Sequence, residues 1–302
     1  MLRIFATCLA ILNACSMAGE QADQLVFSAM GCGPYSGDDF KAIRHYVSEE
    51  NRQKGSEFLI HLGDINSGDM ARQGKLTEAH YLSIKKLLTR GNQIPTYIIP
   101  GDNEWNDRPD PETGWKHWTA HLGSLEKNYT VKWSTDRQKA RPENFTFIKS
   151  GVLFIGINLV GGRIHDRKEW TRRFAENNDW IETQFIKHRK TVQVAVVCCH
   201  ANPIRMVKGK PQARPPFAPF CDRFAKLGAA FGKPVLFLHA DGHQWIVDQP
   251  WNNAPNITRI QLDRVNQTFP PVQFTIRPAA KKPFSFDRRL KKPGWKFPGS
   301  TR

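Results

Sequence analysis

Three aspartates and two histidines in this chain follow short apolar runs, each where a strand would end. Leu25–Met30 leads into Gly31-Cys32-Gly33, Phe58–Leu62 into Gly63-Asp64, and Tyr97–Pro100 into Gly101-Asp102-Asn103-Glu104. Val192–Cys199 precedes His200, and Val235–Leu238 precedes His239-Ala240-Asp241-Gly242-His243. Short buried strands that end on Gly or Asp are how an open α/β sheet presents ligand groups at its carboxyl edge. Carboxylate, imidazole and thiolate groups delivered this way can hold divalent cations. Singly, each has an ordinary use. Gly63-Asp64 is a common strand-end turn, Asp241-Gly242 a favoured turn pair, and Asp102-Asn103 a turn closed by side-chain hydrogen bonds. His200 alone would suit a hydrogen-bonded core position, as would His61 and His239. The ordered series is what points to a metal site.

The elements that must carry these groups alternate. Asp38–Lys54 places Phe40, Ile43 and Val47 on one helical face, and Leu76–Leu88 reads as a second helix with Leu82, Ile84, Leu87 and Leu88 buried. Glu169–His188 is a long helix lined by Trp170, Phe174, Trp180, Ile181 and Phe185, and Asp222–Phe231 a shorter one. Asn144–Phe147 and Val152–Leu159 form a hairpin-like pair, and Val272–Arg277 alternates as a closing strand. This order predicts mixed sheets with flanking helices in one α/β domain over residues 24–278. Asn106–Lys139 is polar, holds Trp115, Trp118 and Trp133, and reads as an insertion on a substrate rim.

The 302 residues carry 44 Lys+Arg against 28 Asp+Glu, a net charge of +16 that favours anionic partners. Residues 1–18 read as an export signal: Arg3, an apolar core over Ile4–Leu12, and a small-residue cleavage site at Ser16-Met17-Ala18. Leu12-Asn13-Ala14-Cys15 is similar to a bacterial lipobox. The chain is therefore expected to be exported, as a periplasmic or membrane-anchored lipoprotein or a secreted protein. Residues 279–302 are basic and rich in Pro and Gly, and are expected to be a disordered tail, solvated or resting on an anionic surface. No specific nucleic-acid motif is present. Cys32, Cys198, Cys199 and Cys221 permit disulfides in an exported chain, with one of the adjacent pair able to reach Cys221. Asn-x-Thr triplets at Asn128, Asn144, Asn256 and Asn266 matter only in a eukaryotic secretory pathway.

Across roughly residues 25–250 the series resembles the calcineurin-like metallophosphoesterases, in a divergent bacterial exported branch. That family's blocks are Asp-x-His, Gly-Asp, Gly-Asn-His-Asp/Glu, a lone His, and Gly-His-x-His, each after a strand. Gly63-Asp64 and His200 match outright. Gly101-Asp102-Asn103-Glu104 matches with its middle pair changed, and Ala240-Asp241-Gly242-His243 with Asp in place of the first His. Gly31-Cys32-Gly33-Pro34 occupies the first block with both ligands changed. The phrases Gly101-Asp102-Asn103-Glu104-Trp105 and Arg141-Pro142-Glu143-Asn144-Phe145 also fit such a branch.

The resemblance implies two mixed β-sheets packed as a sandwich with flanking helices. It also implies one or two divalent ions (Mn, Fe or Zn) sharing a bridging carboxylate. Such ions activate water and clamp a phosphoester during in-line displacement. Carried over, one site comprises Asp64, Asp102, His200 and Asp241, and the other Cys32, Asp64 and His243. The first is oxygen-rich and suits Mn²⁺, Fe²⁺ or Mg²⁺, whereas a thiolate at Cys32 suits Zn²⁺. Pro34 offers no ligand atom. Asn103 stands where the family has the His that assists the leaving oxygen, and an amide donates a hydrogen bond but no proton. Arg163 and His165, after Gly161-Gly162, are candidates to bind the phosphate of a phosphorylated small molecule. The expected activity is metal-dependent phosphoester hydrolysis. The rival is a catalytically impaired protein on the same fold that binds anionic ligands. A redox role for Cys198-Cys199 is weak, since the Cys-x-x-Cys spacing is absent.

Overall fold

The computed structural model describes residues 24–299, so the expected leader over 1–18, with Cys15, lies outside the described residues. Along the chain run β1 (Leu25–Met30), α1 (Gly37–Gln53), β2 (Leu59–His61), α2 (Gly68–Arg72), α3 (Glu78–Thr89), β3 (Thr96–Ile98), α4 (Pro111–His121), β4 (Asp136–Arg137), β5 (Phe145–Lys149), β6 (Val152–Gly156) and α5 (Arg167–His188). There follow β7 (Val194–Cys198), β8 (Ile204–Val207), β9 (Lys210–Ala213), α6 (Ala218–Phe231), β10 (Val235–His239), β11 (Ile246–Asp248), β12 (Ile257–Gln261), β13 (Val272–Ile276) and β14 (Phe284–Asp287).

Two mixed sheets result. One has the order β14-β13-β1-β2-β3 and the other β11-β12-β10-β7-β6-β5-β4, while β8 and β9 form a separate hairpin. The neighbours β1-β2-β3 pair in parallel, as do β6-β7-β10-β12. Alternation along the strands explains why both sheets bury both faces. In β10, Leu236 and Leu238 point between the sheets with Phe27, Phe58, Phe154 and Phe274. Val235 and Phe237 point outward to meet Phe174, Phe185 and Phe224 of α5 and α6. On the far side, Met30 and Leu59 meet Ile43, Tyr81, Ile84 and Trp118 of α1, α3 and α4. The expected α/β sandwich with flanking helices is thus the observed four-layer arrangement. Each fully buried Phe contributes roughly 1.5–3 kcal/mol, and Phe58 adds an edge-on contact to Phe154 at 5.1 Å.

Several expectations are corrected. Residues 279–299 are not a disordered tail. β14 pairs antiparallel with β13, Trp295 is buried, and Arg289 forms a buried ion pair with Glu50 at 2.5 Å. Trp118 is fully buried with Trp115 stacked on it at 5.3 Å, and Trp133 packs on Phe147 at 5.9 Å. These three side chains therefore build core rather than a substrate rim. Within the same stretch, Asp110 accepts from the Thr113 N–H at 3.0 Å and Pro111 opens α4. Leu82 is exposed, because Tyr81, Ile84 and Leu88 occupy the inward face of α3. All four described cysteines are free thiols. Cys198 ends β7 and lies between the sheets, while Cys199, the next residue, faces the other way and shares the outer cluster with Cys221. Among the described residues no helix is long and apolar enough to cross a membrane.

Candidate metal centre

The carboxyl ends of β1, β2, β3, β7 and β10 converge, and each delivers a potential ligand within a few residues. Cys32, Asp64 and His200 form one ion-sized cluster, and Asp102, His200 and Asp241 another, each with ligand atoms within 4.8 Å of one another. The turns are tight. Cys32 (φ 57°), Asp64 (φ 61°), Asp241 (φ 64°) and His243 (φ 54°) all adopt left-handed backbone. That conformation costs about 1–2 kcal/mol for a residue with a Cβ, and such residues concentrate at functional sites. Local hydrogen bonds offset the cost: Cys32 N–H donates to Gly63 O at 2.9 Å and Gly33 N–H to Asp64 O at 2.7 Å. At Gly63 any Cβ would sit 2.7 Å from Gly101 Cα, so glycine is required where the β2 and β3 turns touch.

Asp64 sits at the middle of the cluster. Its Oδ1 accepts from the Asn103 backbone N–H at 3.1 Å and lies 3.4 Å from His200 Nε2. Its Oδ2 accepts from Asn103 Nδ2 at 2.7 Å and from the Tyr35 hydroxyl at 2.9 Å. His200 is buried and is held by Nδ1, which donates to Leu62 O at 2.6 Å; this aims Nε2 at Asp102 Oδ1, 3.0 Å away. Fixing one ring nitrogen on a carbonyl is how a protein presents the other to a cation. Asp241 Oδ2 accepts from Asn202 N–H at 3.2 Å, and the Asp241 N–H donates to Cys32 Sγ at 3.2 Å. Beneath the cluster, Glu104 receives the backbone N–H groups of Gly101 (2.6 Å), Asp64 (3.2 Å) and Ile65 (3.2 Å). It thereby clamps the β2 and β3 turns together.

The electrostatics are those of a cation site. Burial, followed by the charges of neighbouring carboxylates, raises the proton affinity of Asp64 and Asp241. Burial is the largest influence on Asp102 and works against its charge, but the hydrogen bond to His200, the His200 charge and further hydrogen bonds together outweigh it and hold Asp102 below the usual carboxylate range. Burial works against a charge on His200, but Asp64, Asp102 and Asp241 more than reverse this, so its pKa is raised. Cys32 is pushed up by burial and by Asp64 and Asp241, so without added positive charge it keeps its proton. Crowded buried carboxylates with a single imidazolium among them favour a divalent cation. The oxygen, nitrogen and sulfur donors present fit one.

A cavity of about 360 Å³ opens beside Asp241, lined by Gly161, Gly162, Asn202, Arg205, Arg214 and Phe217 among others. Arg205 lies on β8 and Arg214 just after β9, and the charge of Arg214 favours ionised Asp241.

No protein-family model and no curated protein matches the chain. Solved structures do. A dimetal phosphatase from Danio rerio has a TM-score of 0.53 at 11% identity, covering 83% of this chain and 92% of that one. TT1561 of Thermus thermophilus has a TM-score of 0.50 at 12% identity, covering 87% of this chain and 98% of that one. The fold is metallophosphoesterase-like. At these identities the likeness is one of fold, and the chemistry rests on this chain's own residues.

On that fold the sequence-derived ligands Cys32, Asp64, Asp102, His200 and Asp241 come together, but His243 stands apart. It belongs to neither ion-sized cluster, and its Nε2 lies 3.4 Å from the Tyr35 hydroxyl, which also donates to Asp64 Oδ2. Asn103, expected to assist the leaving group, spends both amide hydrogens on Asp64 Oδ2 and on Asn66 O at 2.9 Å. It positions Asp64 instead. Arg163 is likewise committed: Nε donates to Asn106 O at 3.1 Å and Nη2 to Arg108 O, while His165 packs edge-on to Trp105 at 5.8 Å. The guanidinium groups at the cavity are those of Arg205 and Arg214, which sequence reasoning missed along with Tyr35 and Glu104. His61 is a supporting residue: its Nε2 donates to Gly33 O at 2.9 Å and Nδ1 accepts from Gly63 N–H at 3.2 Å.

Proposed function

We propose that this protein hydrolyses phosphoesters in a metal-dependent reaction. One observation carries the reading: Asp64, Asp102, His200 and Cys32, all buried, gather with half-buried Asp241 at converging strand ends, oriented by hydrogen bonds to backbone. Asp102, His200 and Asp241 with Asp64 would hold one divalent ion, and Asp64 with Cys32 a second. When bound, such ions supply Lewis-acid charge that acidifies water and neutralises phosphoester oxygens. The first set favours Mn²⁺ or Fe²⁺, and the thiolate of Cys32 favours Zn²⁺.

The chain's own residues do the rest. Asn103 and Tyr35 orient Asp64. Burial followed by the Asp64 charge raises the Tyr35 pKa, so its hydroxyl keeps a proton facing the cluster. Arg205 and Arg214 place positive charge on the approach past Asp241, where an anionic phosphoester would enter the cavity. The substrate is a phosphorylated small molecule on this reading. The leader over 1–18 would carry the reaction outside the cytoplasm.

The test is hydrolysis of para-nitrophenyl phosphate and its bis-ester by Mn²⁺-loaded protein, beside Asp64→Asn. Metal content and turnover are expected to fall together in the variant. Wild-type turnover in folded Asp64→Asn would sink the assignment. An inert wild type that gains activity with Cys32→Asp and Pro34→His would instead identify a binding protein on this fold.

A further inference from the structure

A second group of metal-binding side chains lies outside the strand-end centre. Glu78, His117 and His121 bring a carboxylate oxygen and two imidazole nitrogens within 4.8 Å of one another. His117 and His121 are four residues apart on α4, so they project from one helical face. Their rings lie nearly parallel, with centroids 6.5 Å apart and planes inclined by 13°. Glu78 opens the neighbouring helix α3, and its Oε1 lies 2.7 Å from His121 Nε2 and 3.9 Å from His117 Nδ1. Ligand atoms around a tetrahedral Zn²⁺ with bonds of 2.0–2.1 Å stand about 3.3 Å apart. The two observed separations straddle that value, so small side-chain rotations suffice to admit an ion. The imidazoles are only 17% and 16% exposed, while Glu78 is 56% exposed. The ligands on α4 are therefore partly fixed by packing, and the outer side is open to a water as fourth ligand. His117 is further held by the ring of Tyr81, 5.6 Å away. The charge of Lys116 also acts on Glu78 and competes with an ion for it.

We infer that Glu78, His117 and His121 form a Zn²⁺ site that clasps α3 to α4, separate from the strand-end centre. The clasp bears on that centre through one side chain. One turn after Glu78, the Tyr81 hydroxyl donates to Glu104 O at 2.6 Å, and the Glu104 carboxylate ties the Asp64 and Gly101 turns. Zn²⁺ on the clasp fixes α3 against α4 and with them the support of Glu104. Two histidines and one carboxylate with an open position is also a catalytic zinc arrangement. The role assigned to this one is structural, because its ligands join two helices at their exposed side.

The experiment is calorimetric titration of metal-stripped full-length protein with Zn²⁺, in an Asp64→Asn background that disables the strand-end centre. One further equivalent is expected to bind, with a rise in thermal midpoint. His117→Ala/His121→Ala should abolish that equivalent and the rise. Glu78→Gln, which keeps a hydrogen-bonding group beside His121, should weaken binding by about tenfold or more, the least that loss of even an outer-sphere partner costs. Equal Zn²⁺ stoichiometry with and without the two histidines would overturn the inference, as would no binding to the Asp64→Asn protein. None of these readouts requires phosphoester turnover, so the clasp and the proposed activity stand or fall separately.

Discussion

Asn103 holds both oxygens of Asp64: its backbone N–H meets Oδ1 at 3.1 Å and its side-chain amide meets Oδ2 at 2.7 Å. The second amide hydrogen goes to Asn66 O, so the side chain is locked between the β2 and β3 turns. A carboxylate steadied this way presents its remaining lone pairs in one direction. Asn103→Ala is expected to weaken Mn²⁺ binding by about 10–100-fold, the cost usual for losing a group that orients a ligand. Mn²⁺ titration beside thermal melts checks this. A lowered midpoint with unchanged Mn²⁺ affinity would make the residue merely structural.

Arg205 and Arg214 line the cavity that opens beside Asp241. Both are exposed in the free protein, and so carry no packing duty there. Removing either guanidinium should mainly weaken substrate capture. A charge-assisted hydrogen bond contributes about 1.5–3 kcal/mol, and the exposed setting argues for the lower end. Arg214→Ala is expected to raise KM about tenfold with little change in kcat, and the double variant more. Steady-state kinetics with Mn²⁺-loaded protein decides; a fall confined to kcat would place these side chains elsewhere in the reaction.

The strands that carry the centre were legible because β1, β2, β3, β7 and β10 are buried on both faces and so read as short apolar runs. Asp64, Asp102 and His200 stood out for the same reason, as the first polar groups beyond those runs, and Asp241 as the carboxylate two residues after His239. Tyr35 did not, because nothing in its spacing says that its hydroxyl returns to a carboxylate 29 residues later. Glu104 was visible as a residue, but its use, collecting three backbone N–H groups from two turns, exists only once β2 and β3 lie side by side. Arg205 lies within β8 and Arg214 just after β9, in a hairpin whose strands of four residues each are too short and too polar to show a clear apolar pattern. The final stretch misled for a related reason. Its basic residues look like a solvated run, yet β14 needs only an edge to pair with, and Arg289 finds a buried partner in a distant helix.

That partner makes the C-terminal segment part of the fold. Arg289 Nη1 meets Glu50 Oε1 at 2.5 Å with both side chains almost fully buried, and the guanidinium lies 3.7 Å from the ring centroid of Trp295. Glu50 also accepts from the Ser28 hydroxyl on β1. Removing one member of such a pair leaves an uncompensated buried charge, which costs about 3–5 kcal/mol. Arg289→Ala is expected to lose that much in urea unfolding. Lys281→Ala and Lys282→Ala, which are exposed, should stay within about 0.5 kcal/mol of wild type. A chain ending at residue 278 with unchanged stability would contradict a stabilising role for β14 and Arg289.

His61 links the fold to pH. It is buried beneath the centre as a neutral ring, and burial is the main cause that lowers its pKa to about 4 from the ordinary 6.5. In the unfolded chain it takes up a proton near pH 6.5, while the folded chain resists until about pH 4. Between those values the unfolded state binds more protons, so the contribution of His61 is complete above pH 6.5 and is lost as pH falls toward 4. At 1.36 kcal/mol per unit the full loss is about 3 kcal/mol, of which about 2 falls between pH 6.5 and 5. His61→Gln cannot titrate but can still donate to Gly33 O and accept from Gly63 N–H. The difference in unfolding free energy between wild type and His61→Gln should therefore move in favour of the variant by about 2 kcal/mol from pH 7 to 5. Parallel pH profiles for the two proteins would mean that His61 is protonated in the folded state and that the neutral, doubly hydrogen-bonded ring is not the native form.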